Sequence, residues 1–255
     1  MFRVEGLTKR YGGLTAVDQL SYTVAAGEIV GLIGPNGSGK STSIDCVSGF
    51  AQANHGRWWL GDVELTGWRP EQISKAGLTR SFQTVRAYDE LTLEDNLRTA
   101  AQAADGIGWV GSLLRTNACR TAEAAASERA HRLLDMIGLS AYAHAPSAVL
   151  SYGQRKLLSI AAAMMAQPKL VILDEPVAGV NPTMVRRIED AIQEIRKAGT
   201  TLLVVEHNVD FIMAICDRVI VLEAGVKIAD GNPDLIHNDE RVLAAYLGKQ
   251  SSANV

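Results

Sequence analysis

Residues 34–41 read Gly-Pro-Asn-Gly-Ser-Gly-Lys-Ser, the composition of an anion cradle. Gly34, Gly37 and Gly39 let the backbone bend until several N–H groups point at one phosphate chain. In the spacing G-x-x-x-x-G-K-S, Lys40 neutralises the terminal phosphates of a nucleotide and the Ser41 hydroxyl can ligate Mg²⁺. A second chemical pair, Asp174-Glu175, ends the apolar run Leu170–Leu173. An aspartate there suits a Mg²⁺ partner, and a glutamate beside it can orient and deprotonate an attacking water. His207 ends another apolar run in the segment VVEHN, within reach of a terminal phosphate. A fourth stretch, LSYGQRK at 150–156, has Ser151 and Gln154 at capping-box spacing, and a serine and glycine at a helix N-terminus also suit an anion. Together these residues describe chemistry on a phosphoryl group. No N-K-x-D guanine-reading motif is present, which weighs against a GTPase and leaves ATPases and small-molecule kinases open at this point.

Elements that position these residues follow from the surrounding pattern. Residues 2–33 read as short strands broken by turns at Gly12-Gly13 and Ala26-Gly27, and EIVGLIG (28–34) is an apolar run ending in glycine, expected as a buried strand. A helix is expected after Lys40. The segment 57–67 reads as a hairpin turning at Gly61-Asp62. From about 88 to 165 the pattern is helical and alanine-rich, with loops near 106–111 and 143–150. The runs LVIL (170–173), TLLVV (201–205) and VIVL (219–222) suit parallel strands covered on both faces. Between the first two lies a helix carrying Val185, Ile188, Ile192 and Ile195, stopped by Gly199. The alternation of strand and helix predicts an α/β sheet whose ligands gather at the carboxyl edge.

The 255 residues suffice for one large or two small domains, and 47% hydrophobic residues predict a sizeable core. A net charge of −3 gives no general attraction to nucleic acid or anionic lipid. Cys46, Cys119 and Cys216 are few and widely spaced, which reads as reduced thiols of a cytosolic protein. No run approaches the ~18 apolar residues of a membrane span. The charged start lacks the apolar stretch of a signal peptide. A soluble chain is therefore expected, with any membrane-spanning part supplied by other subunits.

GPNGSGKS, LSYGQ, LVILDEP and VVEHN, in this order, resemble the ATP-binding-cassette (ABC) ATPases over nearly the whole chain. The signature LSYGQ separates that family from kinases and GTPases. It departs from the usual L-S-G-G-Q at Tyr152 but keeps Gly153. The implied fold is a P-loop α/β core with an antiparallel β subdomain and an inserted helical subdomain. Residues 1–87 and 166–248 would form the nucleotide-binding core, 88–165 the helical signature subdomain, and 249–255 a disordered tail.

The resemblance further implies residue roles. ATP would be held by Gly34, Asn36, Gly37, Ser38, Gly39, Lys40, Ser41 and Thr42, with Tyr11 stacking on adenine. Mg²⁺ would be met by Ser41, Gln83 and Asp174. Glu175, His207 and Lys40 would serve hydrolysis. Ser151, Gly153 and Gln154 would face the γ-phosphate bound by a second copy's P-loop, so that two chains enclose two ATP. AGVNP (178–182) looks like the D-loop, with Asn181 where many members carry aspartate.

The segment 106–123 reads as an insertion before the helical subdomain. Together with VVEHNVDFIMAICDRVIVLEAG and VLAAYLG, it resembles the longer of the two ATPase types of branched-chain amino-acid importers. Urea and amide importers share this branch. The implied partners are two membrane permease subunits, a second, shorter ATPase or another copy of this chain, and, indirectly, an extracytoplasmic solute-binding protein. Nucleic acid is not expected as a partner. The implied location is the cytoplasmic face of the membrane, peripherally bound. Residues 84–95 are expected to receive a cytoplasmic helix of a membrane subunit, against a reading as a solvated loop. A lipopolysaccharide-export-type ATPase and a soluble DNA- or ribosome-associated ABC ATPase are the competing readings. The insertion argues against the first. The second usually carries a tandem cassette or a long coiled coil, which this sequence lacks.

Overall fold

A computed structural model of the chain describes residues 1–81, 87–105 and 117–247. Two sheets organise it. The first is antiparallel, in the order β2-β1-β4-β5, from Phe2–Tyr11 (β1), Leu14–Val24 (β2), His55–Leu60 (β4) and Val63–Glu64 (β5). The turns fall at Gly12-Gly13 and Gly61-Asp62, as the sequence predicts. The second sheet contains Ile29–Ile33 (β3), Leu78–Ser81 (β6), Leu170–Asp174 (β7), Thr201–Val205 (β8), Arg218–Glu223 (β9) and Val226–Gly231 (β10). Its order is β10-β9-β3-β8-β7-β6, parallel throughout except for β10, which runs antiparallel to β9.

The central strands are apolar without interruption because both of their faces are covered. Alternate side chains enter two separate cores. Ile29, Ile33, Val171, Leu173, Leu202, Val204, Val219 and Val221 join one apolar cluster with Leu93–Asp105 (α3), Asn117–Met136 (α4), Tyr152–Met164 (α5), Pro182–Lys197 (α6) and Val209–Ile215 (α7). Val30, Leu32, Leu170, Ile172, Leu203, Val205, Ile220 and Leu222 face the other cluster, shared with Phe2, Val4, Leu7, Leu20 and Trp58 of the antiparallel sheet. The helix Lys40–Val47 (α1) lies in this second cluster through Ile44, Cys46 and Val47, so it is held among the apolar side chains of both sheets. Pro70–Ala76 (α2) precedes β6, while Pro233–His237 (α8) and Glu240–Leu247 (α9) complete the described chain.

Gln83, part of the 106–123 insertion (106–116) and the tail 249–255 lie outside the described residues. Residues 117–123 open α4. Among the described residues no helix is long and apolar enough to cross a membrane.

Candidate functional site

Strand register sets the site. Leu32 on β3 pairs with Val205 on β8, and Val205 pairs with Asp174 on β7. The segments beginning at Gly34, Glu206 and Glu175 therefore leave the sheet side by side at its carboxyl edge.

The loop from β3 into α1 requires glycine at two points. Gly34 has φ 151°, and a Cβ there would lie 2.1 Å from the Leu222 carbonyl oxygen. Gly39 has φ 99°, and its Cβ would lie 2.4 Å from the Ala16 carbonyl oxygen. Gly37, by contrast, has nothing within 4 Å of a built Cβ, so its side of the loop is open. Lys40 is buried, and its Nζ donates to the carbonyls of Gly34 at 2.7 Å and Pro35 at 3.2 Å. The Ser38 hydroxyl is buried with no hydrogen-bond partner among the described residues. No side chain caps α1, and its first turn carries no acidic residue. A loop of this kind, with a lysine, an orphaned hydroxyl and an uncapped helix N-terminus, fits a phosphate chain. Asn36 and Ser41 are exposed and Thr42 is half-buried beside it.

The carboxylates sit in a charge cluster. Asp174 is buried as the last residue of β7, and its Oδ2 accepts from Arg80 at 2.8 Å. The same guanidinium reaches Asp45 Oδ1 at 2.6 Å. Glu175 has φ 48°, a left-handed conformation uncommon outside glycine. Its N–H donates to the Val205 carbonyl at 2.8 Å, and its carbonyl accepts from Lys156 Nζ at 2.8 Å. Its Oε1 lies 3.9 Å from His207 Nδ1.

Next to it, Glu206 is fully buried. It accepts from the backbone N–H groups of Val177 at 3.0 Å, His207 at 2.9 Å and Asn208 at 3.2 Å. His207 is half-exposed, with Nδ1 3.4 Å from Glu206 Oε2. Burial pushes the Lys156 ammonium below its ordinary pKa, while Glu206, Glu175 and Asp174 pull it back up.

The signature helix α5 opens with the expected capping box. Gln154 N–H donates to Ser151 Oγ at 3.4 Å, and Ser151 N–H donates to Gln154 Oε1 at 2.9 Å. Gly153 is buried against its own chain: a Cβ there would lie 2.4 Å from Met184 Cγ and 3.4 Å from Val180 Cγ1. Asn181 caps α6 by accepting from Met184 N–H at 3.0 Å. Tyr152 is half-exposed, and its ring edge would lie 3.4 Å from a Cβ on Gly179.

Of the residues read from sequence, the geometry brings Asp174, Glu175 and His207 together, and strand pairing sets them beside the 34–41 loop. Ser151, Gly153 and Gln154 stand at the start of α5. Tyr11, at the end of β1, is half-exposed with Lys9 Nζ 4.6 Å from its ring centroid. Gln83 is not described. The sequence reading passes over Lys156, Glu206 and Arg80. Lys156 did carry a signal: it stands four residues before Ile160 on the apolar side of α5, and a buried cation needs a partner.

Over residues 17–178 the chain matches the family described as ABC transporter. It is 39% identical over 250 residues to the high-affinity branched-chain amino acid transport ATP-binding protein LivG of Escherichia coli (strain K12), covering 98% of each chain. It is 36% identical over 250 residues to the corresponding protein BraF of Pseudomonas aeruginosa, again covering 98% of each. Among solved structures, the ADP conformation of an ATP-binding cassette of an ABC transporter superimposes with a TM-score of 0.84 at 31% identity, over 97% of this chain and 98% of that one.

Proposed function

This chain belongs to the ABC transporter family, and from that premise we propose that it is the ATP-hydrolysing subunit of an importer for branched-chain or other neutral amino acids. The observation that carries the reading is the convergence at one sheet edge of an open phosphate loop, the Asp174-Glu175 pair and His207. The LivG and BraF relatives supply the solute class.

In this reading the loop from Gly34 to Thr42 holds the triphosphate of ATP through backbone N–H groups, the Lys40 ammonium and the Ser38 and Ser41 hydroxyls. Asn36 lines the open side of that loop, and Tyr11 offers a ring face to adenine. Among the described residues no cluster of three or more histidine, cysteine or acidic side chains makes a metal site by itself. That suits Mg²⁺, which takes few protein ligands and completes its shell with phosphates and water. Ser41 and Asp174 would hold it, with Gln83, and it would neutralise charge on the phosphates. Glu175 orients and deprotonates the attacking water, and His207 donates toward the terminal phosphate. Ser151, Gly153 and Gln154 present the N-terminus of α5 to ATP held by a second ATPase subunit, this chain's own copy or the shorter type.

Residues 1–87 and 166–248 act as the nucleotide-binding core and 88–165 as the signature-bearing helical part. Beside the core a cavity of about 500 Å³ is lined by Phe50, Ile73, Ala87, Tyr88, Ala100 and Leu158, among others. It supports docking of a permease segment at the cytoplasmic membrane face. The chain from 88 to 92 leads from there to the signature. Ser147 Oγ donates to the Tyr88 carbonyl at 2.9 Å, Ala148 N–H to the Asp89 carbonyl at 3.1 Å, and Arg155 pairs with the Asp89 carboxylate.

Glu175→Gln tests the reading. The amide keeps the shape and loses the basicity, so ATP binding should persist while hydrolysis falls by ~10²–10⁴-fold. An ATP-bound dimer should accumulate on gel filtration. Turnover at the parental rate would remove Glu175 from the chemistry.

A further inference from the structure

Lys156 is 3% exposed, yet it belongs to α5, the helix that carries the signature. Its Nζ donates at 2.8 Å to the carbonyl of Glu175, on a different element of the fold. A buried lysine is costly unless it is paired. Here burial works against the charge, and Glu206, Glu175 and Asp174 retain it.

The residue it reaches is strained. Glu175 has φ 48°, and a non-glycine residue persists in such a region only where its surroundings over-determine it. The surroundings are visible on both sides. The Glu175 N–H is fixed by the Val205 carbonyl at 2.8 Å, and its carbonyl accepts from Lys156 and, at 3.4 Å, from Ala178 N–H. The Tyr152 ring completes the arrangement: its centroid is 5.7 Å from Lys156 Nζ, and the same ring packs beside Gly179. The start of the signature helix and the segment 175–179 are thus joined by a charged hydrogen bond and an aromatic cover.

We propose that Lys156, covered by Tyr152, is a positioning residue for Glu175: it holds the left-handed peptide that aims the carboxylate, so the signature helix and the hydrolytic carboxylate of one chain move as one body. The inference rests on the reading of Glu175 as the general base. Its mechanistic consequence concerns two sites. The signature helix serves ATP held by the partner, whereas Glu175 serves ATP held by its own chain. Lys156 carries a displacement of the first to the second.

The test compares the full-length parent with Lys156→Met, Lys156→Arg and Glu175→Gln in steady-state ATP hydrolysis, with thermal melts alongside. Methionine keeps an unbranched stem and removes the donor, and misplacing the base should then lower kcat by about tenfold or more. KM for ATP should stay within about threefold, because the P-loop is untouched. Arginine restores a charged donor and should recover about a third or more of the parental kcat. A Lys156→Met enzyme with parental kcat overturns the proposal. So does an equal loss in the Met and Arg variants with KM and melting temperature moving alongside, which marks a purely packing role. Should the Met variant not fold, Lys156→Gln replaces it; its neutral, shorter donor should give an intermediate kcat, and parental kcat again overturns the proposal. Glu175→Gln separates the two readings. If it hydrolyses ATP at the parental rate, the base assignment fails, and this proposal with it. If it is inactive while Lys156→Met is not, only the positioning role fails.

Discussion

A methyl group on Gly153 would lie 2.4 Å from Cγ of Met184, so any larger residue at the signature glycine must displace that side chain of its own chain before any second subunit arrives. Alanine at 153 gains ~1 kcal/mol of helix propensity over glycine. Overpacking against α6 costs ~1–3 kcal/mol. The two effects separate in a double-mutant cycle. Gly153→Ala should be less favourable in the parent than in a Met184→Ala background, with an interaction energy of ~1 kcal/mol or more from urea denaturation. Additive effects would show that α5 and α6 give way freely at this contact.

The same contact makes Gly153→Asp a poor probe of a site shared between subunits, because it disturbs packing within the chain. Ser151→Asp is cleaner. Aspartate is as good an N-cap as serine, so the melting temperature should hold. A carboxylate facing an incoming triphosphate repels it, so ATP-driven dimerisation should be lost. Lys40→Ala removes the phosphate-neutralising cation from the other half of the site. If each site is built from two chains, mixing the two inactive variants leaves one intact site per mixed dimer, and ATPase activity should return. Mixed dimers confirmed by native mass spectrometry but without activity would speak against a shared site or against turnover by one site alone.

Asp89 and Glu90 both precede α3 in the segment expected to meet a membrane subunit, but they are not equivalent. Asp89 is paired with Arg155 on the signature helix, whereas Glu90 is exposed. Glu90→Lys should lower branched-chain amino-acid uptake in cells while ATPase activity of the isolated chain stays at the parental level. Asp89→Lys should lower both, because it repels Arg155, although an exposed pair of this kind contributes only ~0.2–1 kcal/mol to stability. Unchanged uptake in the Glu90 variant would leave the segment as a solvated loop.

Cys46 ties stability to alkaline pH. Burial pushes its thiol up to about 11, with Asp45 adding to the rise and Lys9 opposing it. In the unfolded chain a thiol ionises near ~8.5. As pH rises between these values the unfolded state sheds its proton first, so the native state binds more protons and stability falls. Cys216 shifts in the same direction, chiefly through burial. The urea midpoint should therefore drop less between about pH 8 and about pH 10 in Cys46→Ala than in the parent. Identical slopes would show that the thiol is not protected in the native state. In the folded chain neither thiol should react readily with alkylating reagents below that range.

The strands were legible because their burial is two-sided: LVIL is apolar throughout, and TLLVV is apolar after its first residue, Thr201. The P-loop and the Ser151–Gln154 capping box were legible because each is local, with every contributing residue within eight positions of the others. What escaped depends on partners distant in sequence. Nothing beside Arg80 announces that its guanidinium bridges Asp45 and Asp174 across three elements. Glu206 reads as a spacer before His207, although its carboxylate gathers three backbone N–H groups. β6 is four residues long and polar at three of them, Leu-Thr-Arg-Ser, too short for a period to emerge. The packing of Gly153 against Met184 is likewise a contact between residues distant in sequence, beside the phosphate-facing role that the signature resemblance implies.

α1 lies in the apolar cluster that joins the two sheets, with Ile44, Cys46 and Val47 fully buried. The amide hydrogens of that buried stretch, beyond the open first turn, can reach solvent only when that cluster parts. Hydrogen exchange at Ile44, Cys46 and Val47 should therefore report the global opening free energy, while α8, with Leu235 exposed, exchanges through local fraying. The phosphate loop thus leads into a stretch that opens only with the whole fold, and any ligand that grips the loop raises the protection of the entire fold.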